Sequence, residues 1–533
     1  MAPPALAAPT GRLLVLLERS PQPRARAAAA VLARAGARRA GPQVPEIGLV
    51  TVAATPGVLA ALRRDPSVAS VQPEGRMTLR ATANDPALTR PETAPGTPAG
   101  TPQEWPAIRQ RFDRAWDFTT GAGALVGVID TGIDGAHREF AGKVAAAVDQ
   151  DASPTGGPAN TDDEGHGTHV ASLACAATNN GVGIAGAGRD CRLIVEKSDL
   201  TDSSIAASIV DATNRGALAI NMSFGDSGNR APVQAMVAAV DYALARNVVL
   251  VAAAADDQSQ ADQGQPANLL QPVGTGPSLS AGRGLSVTAS TFQDRNPGAG
   301  KGTQISMAAA GAFADFSDNS GPPGLLGVAP SGQASRLDGD LTATPPTLPC
   351  GCRTTADGAT FSYLQGTSMA APQVAAIAAL MRRLNPDASA LDVIRLLKQT
   401  ARRPAGGWTQ DLGWGILDAG AAMEAAAALD RRAPQSRARA PRSTRARRFR
   451  VRWSAADAGP PGVRVSGVGV VELWRATGRG AYRRIGRFAH AHSTLVRGVP
   501  GPSYSFATVA VDAAGNREAR PPRADVSVRV VGP

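Results

Sequence analysis

The sequence predicts an α/β protein in three parts: a central domain on a parallel sheet with helices on both faces, a small α/β module before it and an all-β sandwich after it. Three observations carry this expectation. Short apolar runs rich in β-branched residues, Leu125 to Ile129 and Val248 to Val251, read as strands buried on both faces. Ala-rich stretches, Ser204 to Arg215, Ala231 to Ala245 and Met369 to Leu384, alternate with them and read as helices. Beyond residue 448 the apolar residues recur with period two between Gly/Pro turns, the pattern of antiparallel strands.

Taken in order, residues 11–80 offer a strand at Arg12 to Glu18, an Ala/Arg helix to about Arg39 and a strand at Ile47 to Val52. A helix at Pro56 to Arg64 and a strand at Val68 to Glu74 complete the module. Residues 81–103 are rich in Pro, Thr, Ala and Gly with no apolar period, and read as a linker. Residues 104–430 form the central domain. An Arg-rich linker is expected at 431–447, because residues 431–452 hold ten arginines and no acid. Residues 448–533 form the sandwich, with Val451-Arg-Trp453, Val468 to Trp474 and Tyr504 to Val511 as its clearest strands.

Length and charge bound the function. At 533 residues the chain exceeds one ordinary domain. The net charge of +11 invites a nucleic-acid reading, but its arginines are densest in the expected linker and no recognition motif accompanies them. No specific nucleic-acid binding is therefore expected; such a linker could instead hold the protein to an anionic envelope or polymer. No apolar run is long enough to span a bilayer, and Met1 to Pro9 lacks the charged start and apolar core of a signal peptide. Four cysteines fit a disulfide-tolerant secreted protein loosely. The pairing of Cys175, Cys191, Cys350 and Cys352 stays open.

Chemistry enters through three strings in fixed order: Val126-Gly-Val-Ile-Asp130-Thr-Gly132, Gly165-His166-Gly-Thr-His169-Val170 and Gly366-Thr-Ser368-Met-Ala-Ala-Pro372. They supply an acid, a base and a nucleophile. A serine hydroxyl attacks poorly until an imidazole takes its proton, and the imidazole needs a carboxylate to fix its tautomer. Two of only five histidines lie in one string. Asp130 falls at the carboxyl end of a strand, where ligands sit in open parallel sheets. His166 and Ser368 each precede an apolar helical run, and helix N-termini present free amides to a developing oxyanion.

These strings resemble the signatures of the subtilisin-like serine proteases, the subtilase family (peptidase S8). The likeness continues through Asn179-Asn180-Gly-Val-Gly-Ile184, Ile220-Asn221-Met-Ser223-Phe-Gly225 and Asn247 to Val251, covering roughly residues 104–428. The resemblance implies a subtilisin-like parallel sheet and a secreted serine endopeptidase, hydrolase class EC 3.4.21, acting on protein or peptide substrates as a monomer. It implies Asp130, His166 and Ser368 as catalytic residues. The oxyanion site would be residue 256 with the backbone amide of Ser368. Ser223, Phe224 and Gly225, with Ala254 and Ala255, would line the substrate. No cofactor is required for the chemistry. A structural calcium is implied at Glu139, Asn180, Val182 and Ile184, where oxygen ligands suit a hard cation, although an ordinary Gly/Asn turn explains the loop equally well.

Residues 11–80 resemble the inhibitor-type (I9) propeptide of the family, implying a zymogen that cuts itself between Gly75 and Glu104, with the propeptide as its own inhibitor. The string Tyr504 to Asn516 resembles fibronectin type III and related immunoglobulin-like modules.

One residue departs from the pattern. The oxyanion position holds Asp256, where the family carries Asn, and Ala255 replaces a glycine beside it. An ionised carboxylate accepts hydrogen bonds and donates none, so Asp256 must be protonated to serve. The rival reading is a catalytically weak relative that uses its cleft and sandwich to hold a partner.

Overall fold

The computed structural model describes residues 12–18, 24–74, 83–151, 159–318, 320–330, 353–354, 359–403, 406–489, 491–519 and 523–532. Cys350, Cys352 and the interval 75–82 lie outside them. The chain divides into two compact units, 1–81 and 82–533.

In the first unit, strands β1 (Arg12–Leu17), β2 (Arg39–Val44), β3 (Leu49–Ala53) and β4 (Val68–Pro73) form an antiparallel sheet in the order β2-β3-β1-β4. Helices Arg24–Ala35 and Pro56–Leu62 complete a βαββαβ, ferredoxin-like arrangement. Thr55 caps the second helix by accepting from the Val58 N–H at 3.2 Å. Leu13, Val15, Val31, Val50, Val52 and Leu62 make the core. Strand β2 has no counterpart in the sequence reading. It is an edge strand with no buried residue, it contains Pro42, and its register slips between Arg39 and Gln43, so no apolar alternation marks it.

The second unit is built on a seven-stranded parallel sheet. Its strands are β5 (Leu125–Asp130), β6 (Val144–Asp149), β7 (Arg192–Lys197), β8 (Ala219–Met222), β9 (Val249–Ala253), β10 (Leu285–Ser290) and β11 (Met307–Ala310). Their order is β11-β10-β9-β8-β5-β7-β6, and every neighbouring pair is parallel. The β-branched runs explain this burial. Val126, Val128, Leu193 and Val251 point to one face, under helices His166–Cys175 and Thr367–Leu384. Ile129, Ile194, Ile220 and Leu250 point to the other, under helices Asp202–Asn214 and Gln234–Ala245. Strands with two apolar faces need helices on both sides.

A small antiparallel sheet, β12 (Leu325–Val328), β13 (Arg353–Thr354) and β14 (Thr360–Leu364), precedes the Ser368 helix. Cys175 and Cys191 form a disulfide, their Cα atoms 5.6 Å apart.

Two expected linkers are folded. Residues 83–103 are folded into the second unit: Asp85 accepts from the Asn179 and Asn180 amides at 2.7 and 3.2 Å, and Tyr363 donates to Glu92. These hydrogen bonds run from side chains to distant backbone and to a distant side chain, invisible to a composition count. Likewise the Arg-rich segment contributes β15 (Gln435–Arg439) and β16 (Ser443–Thr444). Only Ala438 of β15 is fully buried, so the strand carries almost no apolar signal.

The remaining strands are β17 (Arg448–Ala456), β18 (Val468–Thr477), β19 (Arg483–Phe488), β20 (Ser493–Arg497), β21 (Ser503–Asp512) and β22 (Val526–Val530). They form two sheets, β15-β17-β20 and β16-β22-β21-β18-β19, around Phe449, Val451, Trp453, Leu473, Phe506 and Val528. The Tyr504 hydroxyl accepts from the Val499 N–H at 2.9 Å, closing a tyrosine corner.

Candidate active site

The carboxyl ends of β5, β8 and β9 converge beside two helix N-termini, and the residues singled out in the sequence collect there. Asp130 closes β5 at 2% exposure. Its Oδ1 lies 2.7 Å from His166 Nδ1 and also accepts from the Thr131 N–H at 2.9 Å. That contact leaves Nε2 of His166 as the free ring nitrogen. Burial lowers the pKa of His166, but the charge and hydrogen bond of Asp130, with Asp162 and Asp256 further off, raise it above the ordinary value overall.

His166 opens its helix because the preceding turn is held from two sides. Asp162, absent from the sequence reading, accepts from the Gly165 and Thr168 N–H groups at 2.9 and 2.8 Å and from the Thr168 hydroxyl at 2.6 Å. Asp162 lies three residues before the Gly165 N-cap, outside the position a capping pattern marks, so no local sequence signal announces it. Gly167 is required by close approach, since a Cβ there would stand 2.3 Å from the Gly132 carbonyl oxygen.

Ser368 is the second residue of its helix. Its carbonyl would ordinarily be taken by the amide of residue 372, which is a proline without N–H. The Ser223 hydroxyl takes it instead, at 2.8 Å, and the Ser368 hydroxyl donates back to the Ser223 carbonyl at 3.0 Å. Among the described residues no hydrogen bond joins Ser368 Oγ to His166. Catalytic contacts of this kind commonly tighten only with substrate bound.

Asp256 follows β9. Its Oδ1 accepts from the Thr367 N–H at 2.7 Å, and the Thr367 hydroxyl reaches the Ala254 carbonyl at 2.5 Å. Gly366, at φ 146°, brings the turn this close, because a Cβ there would lie 3.1 Å from the carboxylate. Asp256 stands at a cleft wall, open to solvent on one side and crowded by protein on the other. That crowding raises its pKa; the Thr367 hydrogen bonds and the nearby His166 pull only partly the other way.

Ser223 is buried and Phe224 and Gly225 are progressively more open, as a segment lining a cleft should be. On the opposite side Ala254 is buried and Ala255 half-buried.

The expected calcium residues meet in part. Glu139 is fully buried; its Oε2 accepts from Asn180 Nδ2 at 3.1 Å, and Oε1 is buried without a hydrogen-bond partner. Asn180 Oδ1 accepts from the Val182 N–H at 2.9 Å, and the Ile184 N–H also serves Glu139. Burial, and the charge of Asp85, push Glu139 up to about 8 despite those hydrogen bonds.

A model of the subtilase family matches residues 121–415, more than half of the chain. Among curated relatives, fervidolysin of Fervidobacterium pennivorans is 30% identical over 335 residues, 58% of this chain and 42% of the relative. The extracellular protease of Xanthomonas campestris pv. campestris is 30% identical over 405 residues, 68% of this chain and 60% of the relative. Thermitase of Thermoactinomyces vulgaris is 28% identical over 322 residues, covering 58% of this chain and 93% of the relative. The chain thus spans about half the length of the first two relatives it matches.

Proposed function

The chain belongs to the subtilase family, and from that premise we propose that it is a secreted serine endopeptidase made as a self-processing zymogen. The observation that carries the reading is the 2.7 Å contact between Asp130 and His166 beside the N-terminus of the Ser368 helix. Ser368 Oγ attacks the peptide carbonyl as His166 Nε2 takes its proton. Asp130 holds the tautomer and balances the imidazolium. His166 then returns the proton to the leaving amine, and water releases the acyl group by the same steps.

The negative oxygen of the tetrahedral intermediate needs donors. The Ser368 N–H makes no hydrogen bond among the described residues, and it sits where a helix leaves its first amides unpaired. Protonated Asp256 supplies the second donor through the oxygen that does not serve Thr367. The segments 223–225 and 254–255 flank an extended substrate, the first adding it as a strand. The relative named as an extracellular protease supports secretion, and no helix among the described residues is long and apolar enough to cross a membrane.

Residues 11–80 act as the propeptide and inhibitor; the independent core of the first unit supports this role. Because Asp85, Glu92 and Glu104 all hydrogen-bond into the second unit, the cut falls between Gly75 and Ala83 rather than later. The C-terminal sandwich is a fibronectin type III-like module. A structural calcium at Glu139 and Asn180 is supported by the unpartnered Glu139 Oε1, provided the Asn180 amide turns its oxygen inward.

Expression beside the Ser368→Ala variant tests the whole reading. N-terminal trimming and hydrolysis of a denatured protein should appear in the wild type alone. An intact, inactive wild type at every pH would overturn it.

A further inference from the structure

The outer face of sheet β15-β17-β20 presents one sign of charge. In β17 the side chains alternate strictly, with Phe449, Val451 and Trp453 in the core and Arg448, Arg450 and Arg452 exposed. The neighbouring strands continue the pattern: Arg439 pairs directly with Arg452, and Arg448 with Arg497. Arg437 lies two residues before Arg439 on the same face. None of these six arginines is in an ion pair, and no acid occupies the face among the described residues; Arg450 donates to Ser493 Oγ at 3.0 Å.

Like charges directly opposite each other in a sheet cost stability. Here two such pairs flank the Arg450 rung, one on each side of β17, with rows about 4.8 Å apart and about 6.8 Å between successive outward residues. A lattice of this kind meets an extended anion with matching repeats. Beside β15 runs a groove of about 710 Å³, lined by Arg437, Arg439 and Arg442 with Asp525 and Ser527. Asp525 does not neutralise it freely, because its Oδ2 is engaged by the Ala438 and Thr508 amides and the Thr508 hydroxyl.

We propose that this face and groove bind an acidic polysaccharide, whose carboxylate, sulfate or phosphate groups are taken by the guanidinium forks. Arginine suits such planar anions because it donates bidentately. The composition of the surface selects the occupant. The exposed positions of the three strands are arginine, serine and glutamine with Leu495 and the small Ala456 as the apolar exceptions, so there is no aromatic platform for stacked bases. Nor is there an apolar centre of the kind a protein partner anchors in, or a ridge that would enter a bilayer. A hydrophilic polymer with regularly spaced charges is what remains. Held there, the second unit would be concentrated on an acidic polymer surface while its cleft stays a separate site.

The test uses the full chain carrying Ser368→Ala, so that self-cleavage does not intervene, and polygalacturonate as the probe. Binding should weaken steeply between about 0.05 and 0.2 M salt. The triple change Arg439→Ser, Arg450→Ser, Arg452→Ser should weaken it on the order of 10²-fold at physiological salt. A control triple on the other sheet, Arg479→Ser, Arg483→Ser, Arg487→Ser, should cost less than about threefold; all six side chains are exposed and form no ion pair among the described residues, and unchanged thermal midpoints would show both variants folded. Equal loss from both triples would reduce the effect to net charge and overturn the proposal. Tighter binding to duplex DNA or to phosphatidylglycerol vesicles than to polygalacturonate would also overturn it.

Discussion

Glu196 on β7 and Glu472 on β18 are the same residue in the same kind of element, at 0% and 2% exposure, yet their acidities move in opposite directions. Burial pushes Glu196 up to about 8. A hydrogen bond from Gln150 offsets this only in part, and Asp211, which faces it, adds to the rise while Arg215 is occupied by Asp211. Glu472 is held down at about 2, first by the hydrogen bonds of Arg517, with Arg484 adding to them against the cost of burial. Burial alone therefore does not set a carboxylate's charge. The parallel sheet hides Glu196 with no cation of its own and keeps it neutral; the sandwich spends two arginines to keep Glu472 ionised.

The active site tests that contrast most strongly. Asp130 is buried like Glu196 but has a partner that becomes cationic in turnover. Asp130→Asn should lower kcat about 10⁴-fold with little change in KM, measured on a soluble peptide, because the imidazole loses its tautomer and its counter-charge. A loss under tenfold would place Asp130 outside the chemistry.

Asp256 is the next case, a carboxylate whose pKa is raised and whose use requires the proton. Activity needs Asp256 protonated and His166 neutral, so it falls above the Asp256 pKa and below the His166 pKa. The kcat/KM profile should be a bell, its alkaline limb set by Asp256 and its acid limb by His166. Asp256→Asn should remove the alkaline limb and raise activity at pH 8 about 10²-fold. An unchanged profile would show that the oxyanion is met by other donors.

Glu196→Gln addresses stability. A folded pKa of about 8 against 4.5 means the neutral form stabilises the fold below pH 4.5, and that contribution is lost as pH rises through about 8. Urea unfolding of the variant should therefore be flatter with pH, with a gain of about 2 kcal/mol at pH 9 relative to wild type. Glu472→Gln should act oppositely and more weakly. With the folded pKa at about 2, its contribution is present above pH 4.5 and lost as pH falls toward 2. Arg484 and Arg517 are 51% and 41% exposed, so solvent screens the pairs and the loss at pH 7 should be about 1 kcal/mol.

How much of this was legible in the sequence follows from where each signal resides. The sheet and its helices were legible because β-branched runs and Ala-rich stretches report burial through their own period. Ser368, His166 and Asp130 were legible because their strings pair a reactive residue with the glycines and proline that its turn needs; Gly167, Gly366 and Pro372 each have a steric or hydrogen-bonding reason. Strands β2 and β15 escaped because an edge strand with few buried residues leaves no period. The segment 83–103 escaped because what fixes it is a set of distant backbone groups, received by Asp85 and Glu104.

The sequence by itself determined the α/β class, the order of acid, base and nucleophile, and the unusual acid at position 256, since those are properties of residue type and local spacing. Tertiary structure alone decided that Asp162 braces the His166 turn, that Cys175 pairs with Cys191, that Glu196 is neutral while Glu472 is charged, and that arginines scattered over some sixty positions share one face. The reason is physical: propensity and periodicity act between neighbours in the chain, whereas charge, desolvation and hydrogen bonding act between neighbours in space.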